Sequence, residues 1–260
     1  MRKQPLNEQP QQEISKKHLS RRNFLAFGSF LGLYGAGYAA WRWLSKQPAD
    51  GGLLGGIQTP LRPVLNANEK IFTSGYQQGR LAKVYSKDQA LAKPRVNGDV
   101  GLDADFNPAG WQLDVQRANG KSLAVSMDAI RNLPKTEVVF NFKCIEGWSQ
   151  VTWWGGVKLS DFMDHFALQQ EAAMQYIGLS TPDDGYYVGL DMPSALHPQT
   201  LLCYEMNGQQ LLAEHGAPLR LIVPVKYGIK SLKRIGSLYF SNERTPDYWA
   251  ERGYDYYSGM

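Results

Sequence analysis

Short apolar runs, most of them five or six residues long and broken by turn residues, recur from Trp111 to Phe240. Half-buried strands need such runs, whereas an ordinary helix needs a 3.6-residue period over ten or more positions. Trp111–Val115 alternates and predicts a strand, with Asn119-Gly120 as the turn leading to Leu123–Val125. Glu137–Phe142, Gln175–Leu179, Gly185–Leu190, Leu219–Val223 and Ile235–Phe240 predict further strands. Two short capped helices are expected, Ser126–Leu133, capped by Ser126 and stopped before Pro134, and Ser160–Phe166. Gly155–Leu159 reads as a turn with a short apolar bridge, and Asp191–Leu196 as a turn or short helix. Thr200–Met206 is an apolar segment of open type, ended by the hairpin-type turn Asn207-Gly208. Strands outnumber helices and no internal repeat is present, so the predicted class is α+β with a β-rich core.

The N-terminal segment differs from the body. Eight of the 28 basic residues and three of the 24 acidic ones lie in the first 50 positions, which leaves 20 basic and 21 acidic residues beyond them. The formal charge of +4 is therefore a property of the leader. A nearly neutral body offers no basic patch for nucleic acid. Ser20-Arg21-Arg22-Asn23-Phe24-Leu25-Ala26 runs into an uncharged Gly- and Ala-rich stretch that ends at Trp41. Paired arginines before a mildly apolar run form the twin-arginine export pattern. Because this route carries folded proteins, it implies a cofactor acquired before export. The apolar span is close to the shortest that crosses a membrane, and Trp41, Arg42, Trp43 and Lys46 would suit its interface, so a retained N-terminal anchor is an alternative to cleavage. Gln47–Thr59 reads as a linker, Leu61–Asn97 as a mixed segment, and Gln77–Arg80 as a surface loop.

Only Cys144 and Cys203 are present. An exported protein can pair two cysteines, but both flank apolar segments that read as core. Cys144 leaves the run Val138–Phe140 into Lys143-Cys144-Ile145-Glu146-Gly147-Trp148-Ser149. A thiol there is either a reactive or metal-ligating thiolate or a small buried hydrophobe. His215 and Arg220 flank a Gly-Ala-Pro turn, which holds two donors near the start of a strand. Gly228, Lys230, Ser231 and Lys233 form a small, basic turn whose amides and lysines suit a phosphate. Taken together these segments describe a socket for a phosphorylated cofactor beside a thiolate. Taken singly, each also fits a cap, an ion pair or a solvated face.

The motifs Cys144-Ile-Glu-Gly-Trp-Ser149, His215-Gly-Ala-Pro-Leu-Arg-Leu-Ile-Val-Pro224 and Tyr227-Gly-Ile-Lys-Ser-Leu-Lys233 occur in this order. Through them the chain resembles the molybdopterin domain of the sulfite oxidase family, over roughly Tyr85 to Phe240. It is similar to the periplasmic branch that includes the catalytic subunit of the protein-methionine-sulfoxide reductase. The resemblance implies one molybdenum–molybdopterin (Mo-pyranopterin) cofactor per chain, with Cys144 as catalytic residue and sole protein ligand to the metal. It implies cofactor contacts from Tyr85, Ser86, Thr181, His215, Arg220, Ser231, Leu232 and Lys233. His215 stands where the sulfite oxidases carry a cofactor-binding His and the reductase branch carries Asn. The implied domains are a signal or anchor at 1–45, a linker and N-terminal extension at 46–80, the molybdopterin-binding domain at 81–245 and a C-terminal tail at 246–260.

Two departures from the family shape the functional expectation. Sulfite oxidases follow the ligand Cys with arginines that bind the anion, whereas Ile145–Ser149 has none and supplies Glu146. The family's C-terminal dimerisation domain and haem domain do not follow, which predicts a monomer. The expected activity is periplasmic, two-electron oxygen-atom transfer, with reduction of an S- or N-oxide. Its expected partners are a membrane haem protein or c-type cytochrome and the twin-arginine export machinery. A sulfite or small-anion dehydrogenase would need a basic mouth from elsewhere in the chain. A cofactor-free binding protein that kept the fold would lack bound molybdenum. Trp148, Trp153 and Trp154 read either as walls of the substrate mouth or as core.

Overall fold

The computed structural model describes residues 16–49, 57–75, 79–102 and 106–259. Gln77 and Gln78 of the predicted surface loop lie outside the described residues. The chain divides into two compact units, Met1–Pro48 and Ala49–Met260.

The first unit is built on helix α1 (Lys16–Leu44), which contains the paired arginines and the apolar run. Phe24, Phe27, Phe30, Leu33 and Trp41 are all exposed. Among the described residues no helix is long and apolar enough to cross a membrane, α1 included. Glycines at 28, 32, 35 and 37 dilute its apolar run.

In the second unit the described residues form two five-stranded sheets. Helix α2 (Arg62–Gly75) precedes them, in the segment that the sequence reads as mixed. Strands β1 (Gln112–Gln116) and β2 (Ser122–Ser126) pair antiparallel across the predicted Asn119-Gly120 turn. Helix α3 (Met127–Arg131) follows, and the Ser126 hydroxyl accepts a hydrogen bond from the Ala129 amide at 3.2 Å. Strands β3 (Thr136–Lys143) and β4 (Ser149–Lys158) form the hairpin that carries Cys144 at its turn. Helices α4 (Leu159–His165) and α5 (Gln169–Ala172) lead to β5 (Tyr176–Ser180) and β6 (Tyr187–Asp191). Helix α6 (Met192–Ala195) is capped by Asp191 and precedes β7 (Leu201–Met206), β8 (Gln209–Gln210), β9 (Arg220–Ile222) and β10 (Ser237–Ser241).

The first sheet has the order β2-β1-β10-β5-β6, with only β1–β10 parallel. The second has the order β3-β4-β7-β8, with β9 also paired to β7. Alternation on β7 and β9 separates two cores. Leu202, Tyr204 and Leu221 join the large core shared with the first sheet, while Leu201, Cys203 and Ile222 join a smaller core with Phe140 and Trp154. The second sheet is thus covered on both faces, and the functional cleft opens beside the smaller core.

Three local expectations change. Gly155 and Gly156 are not a turn but lie inside β4, at an irregularity where it meets β7. A Cβ on Gly156 would stand 2.1 Å from the Leu202 carbonyl oxygen, so glycine here permits close backbone approach. Ser160 does not cap α4. The helix begins at Leu159, whose amide bonds the Thr200 carbonyl at 3.0 Å and whose side chain is fully buried. Residues 246–259 of the segment read as a tail pack onto the domain, with Asp247 and Tyr256 each 2% exposed.

Candidate active site

Strand β3 delivers Cys144 into a tight turn. The Cys144 amide bonds the Trp148 carbonyl at 2.9 Å, and the Gly147 amide bonds the Cys144 carbonyl at 3.1 Å. Gly147 has φ +92, the left-handed region in which a Cβ is strained. Cys144 is buried and unpaired, as is Cys203. Burial raises the Cys144 pKa, opposed by the amides of Glu146 and Ile145, which donate toward its sulfur. The Asn97 side chain adds a donor, with Nδ2 at 3.8 Å from Sγ.

Cys144 lines a cleft that is open to solvent. His215, Arg220, Ser231 and Lys233 line it with Cys144, as do Trp148 and Trp154. Arg220 sits at the start of β9 and is 4% exposed. Its Nη1 donates to the His215 carbonyl at 2.9 Å and its Nη2 to the Ser231 carbonyl at 3.2 Å. Its guanidinium lies 4.5 Å from the Trp154 ring centre. Its Nε is buried without a hydrogen-bond partner, and no carboxylate pairs with it among the described residues. Burial lowers its pKa to about 10. Lys233 donates to the carbonyls of Gly98 and Glu214 at 2.8 and 2.9 Å, and burial, reinforced by the Arg220 charge, lowers it to about 8. Burial and these two cations likewise lower His215, which is therefore neutral at pH 7.

A buried cation with an orphaned donor is costly unless an anion completes it. The Arg220–Ser231–Lys233 corner fits the phosphorylated end of a cofactor, because each cation there already bonds carbonyls and lacks only negative charge. Cys144 fits a soft metal. Among the described residues no three His, Cys, Asp or Glu side chains cluster to hold a metal ion, so a metal bound at Cys144 brings its other donors with it.

Not every sequence-predicted residue reaches the cleft. Thr181 lies behind its wall, with Oγ1 donating to Asp183 at 2.5 Å and accepting from the amide of Tyr186, a wall residue. Leu232 is fully buried in the large core. Tyr85 runs beside β3, its amide on the Val139 carbonyl at 2.9 Å, and Ser86 caps the short turn at Lys87–Gln89. Neither lines the cleft, which takes Pro94, Arg95, Asn97, Gly98 and Val100 instead. Lys230 turns away and pairs with buried Asp247 at 2.5 Å. Trp153 lies on the opposite face of β4 from Trp154, under the Lys87 ammonium. Asn97-Gly98 is a turn signal visible in the sequence, yet nothing local to it points to Cys144, 47 positions later.

Residues 99–249 match the oxidoreductase molybdopterin-binding domain. The chain is 32% identical over 186 residues to YedZ1 of Azospira oryzae, whose provisional name assigns it to a protein-methionine-sulfoxide reductase; the match covers 71% of this chain and 70% of that one. It is 30% identical over 281 residues to MsrP of Ralstonia nicotianae, named as a protein-methionine-sulfoxide reductase catalytic subunit, covering 96% and 79%. A solved structure, the sulfane dehydrogenase SoxCD from Paracoccus pantotrophus, aligns with a TM-score of 0.49 at 18% identity, covering 54% of this chain and 40% of that one.

Proposed function

The chain belongs to the oxidoreductase molybdopterin-binding family of sulfite-oxidase type, and on that premise we propose that it reduces an S-oxide, methionine sulfoxide being the substrate its relatives' names indicate. It is a molybdenum-dependent oxidoreductase with a molybdopterin cofactor. When bound, the cofactor supplies two-electron oxygen-atom transfer.

The observation that carries the site assignment is the convergence of Cys144 with the partnerless Arg220 Nε in one cleft. Cys144 would ligate the metal, and the amides of Ile145 and Glu146 with the Asn97 side chain would hold its thiolate sulfur in place. Arg220, Ser231 and Lys233 would grip the phosphate, and His215 would contribute a ring nitrogen. Trp148 and Trp154 would wall the cleft and restrict water. The overall reaction consumes two electrons and two protons and leaves a sulfide and water. The electrons would come singly from a separate haem protein. The Arg21-Arg22 leader supports export to the periplasm by the twin-arginine route.

The exported protein should carry one molybdenum and one pterin. Cys144→Ala should abolish sulfoxide reduction and the Mo(V) paramagnetic resonance signal, whereas Cys203→Ala should remain active. An active Cys144→Ala variant would sink the assignment. A second reading, oxidation of sulfite or another small anion, gains from Arg95 at the cleft mouth. Sulfite-dependent reduction of ferricyanide at a kcat/KM of about 10⁴ M⁻¹s⁻¹ or more would promote it over sulfoxide reduction.

A further inference from the structure

The cleft mouth carries a charge arrangement that the cofactor socket does not use. Arg95 follows Pro94 in an irregular segment, and its main chain is fixed to β4. Its amide donates to Gln150 Oε1 at 2.9 Å, and its carbonyl accepts from Gln150 Nε2 at 3.5 Å. Its guanidinium lies 4.9 Å from the Trp148 ring centre. No carboxylate pairs with it among the described residues. Trp148 is itself held on several sides. Its Nε1 donates to Glu146 Oε2 at 2.9 Å, its ring stacks with Phe142 at 6.2 Å and 25°, and its carbonyl bonds the Cys144 amide. All of these residues line the cleft with Cys144.

A fixed indole therefore separates a guanidinium on its face from a carboxylate on its edge. The two charges cancel, so the mouth has polarity without net charge. A small anion gains from Arg95 and loses to Glu146. A neutral molecule with a strong internal dipole gains from both. The S–O bond of a sulfoxide is such a dipole, with its negative end on oxygen and its positive end on sulfur and the attached methyl group. Guanidinium N–H groups are strong donors to such an oxygen.

We propose that Arg95 is a specificity-determining residue that recognises the oxygen of a neutral methyl sulfoxide, with Trp148 and Glu146 fixing the guanidinium's surroundings at the cleft mouth. The inference rests on the sulfoxide-reductase reading and deepens it. Arg95 is exposed, so its replacement leaves the core and the phosphate corner intact.

The experiment compares wild type, Arg95→Ala and Arg95→Lys as holoenzymes with equal molybdenum content. Steady-state reduction of dimethyl sulfoxide and methionine sulfoxide is measured with an artificial electron donor. In parallel, dimethyl sulfoxide is titrated calorimetrically into oxidised enzyme with no donor present, which reads binding without turnover. Loss of one charge-assisted hydrogen bond predicts a rise of about 10- to 100-fold in KM and Kd for Arg95→Ala, with kcat changed much less. Arg95→Lys should fall between, because it keeps the charge and loses the fork. Wild-type turnover with unchanged KM and Kd in Arg95→Ala would overturn the role of Arg95 alone. A wild-type holoenzyme that reduces no sulfoxide would overturn the sulfoxide reading, and this inference with it.

Discussion

Lys230 and Lys233 lie three residues apart in one basic turn and face opposite ways. Lys233 points to the cleft, where burial and Arg220 lower its pKa to about 8. Lys230 is 0% exposed and bonds Asp247 and the Gly189 carbonyl inside the domain. The sequence presents both as phosphate donors, because charge and spacing do not say which side chain the short turn Gly228–Lys230 aims inward. Replacing one partner of a buried pair strands the other charge, at a cost of about 3–5 kcal/mol. Lys230→Met should therefore destabilise the protein by about 3 kcal/mol, the low end, since Asp247 keeps the amides of Gly189 and Ala250. Urea unfolding measures the change, and Lys230→Met combined with Asp247→Asn should lose less than the single variant. The molybdenum content of folded Lys230→Met should match wild type, which separates a structural lysine from a cofactor ligand.

Strand β4 shows what element-level reading misses. Gly-Gly is a turn signal in sequence, yet Gly155 and Gly156 run through the middle of the sheet because β7 needs its backbone close to theirs. Such a requirement is set by a strand some 45 positions later in the chain and leaves no local trace. Gly156→Ala would place a Cβ 2.1 Å from the Leu202 carbonyl oxygen and 2.6 Å from the Cys203 Cα. Both neighbours are backbone, so the sheet itself must shift. A loss of about 3 kcal/mol is expected, at the upper end for overpacking, seen as a lower urea midpoint with an unchanged m-value. Arg220 on β9 pairs in register with Cys203, so the same variant should also weaken cofactor retention. The strands predicted from short apolar runs bounded by turn residues, by contrast, form close to their predicted positions, because such runs are a local property.

The molecule divides into two compact units, Met1–Pro48 and Ala49–Met260. Helix α1 exposes the apolar side chains of Phe24, Phe27, Phe30 and Leu33. Its paired arginines carry the export hypothesis. Arg21→Lys together with Arg22→Lys should hold the protein in the cytoplasm, as judged by fractionation, with the body still folded and loaded with molybdenum. Normal export of that double variant would contradict the twin-arginine assignment. The mass of the wild-type exported species would show whether the leader is removed.

The β-rich class, most strand positions and the segments carrying Cys144, His215, Arg220, Ser231 and Lys233 were legible in the sequence. These are carried by local alternation, turn residues and short motifs. Tertiary packing fixed which side chains meet. It brought Arg95 into the cleft that Cys144 lines and Asn97 to the Cys144 sulfur, and left Tyr85 and Ser86 beside β3. It sent Lys230 into the core and stripped Arg220 Nε of any partner. Each outcome depends on the crossing of distant strands and on burial, which are set by how the sheets pack and not by neighbours in the chain.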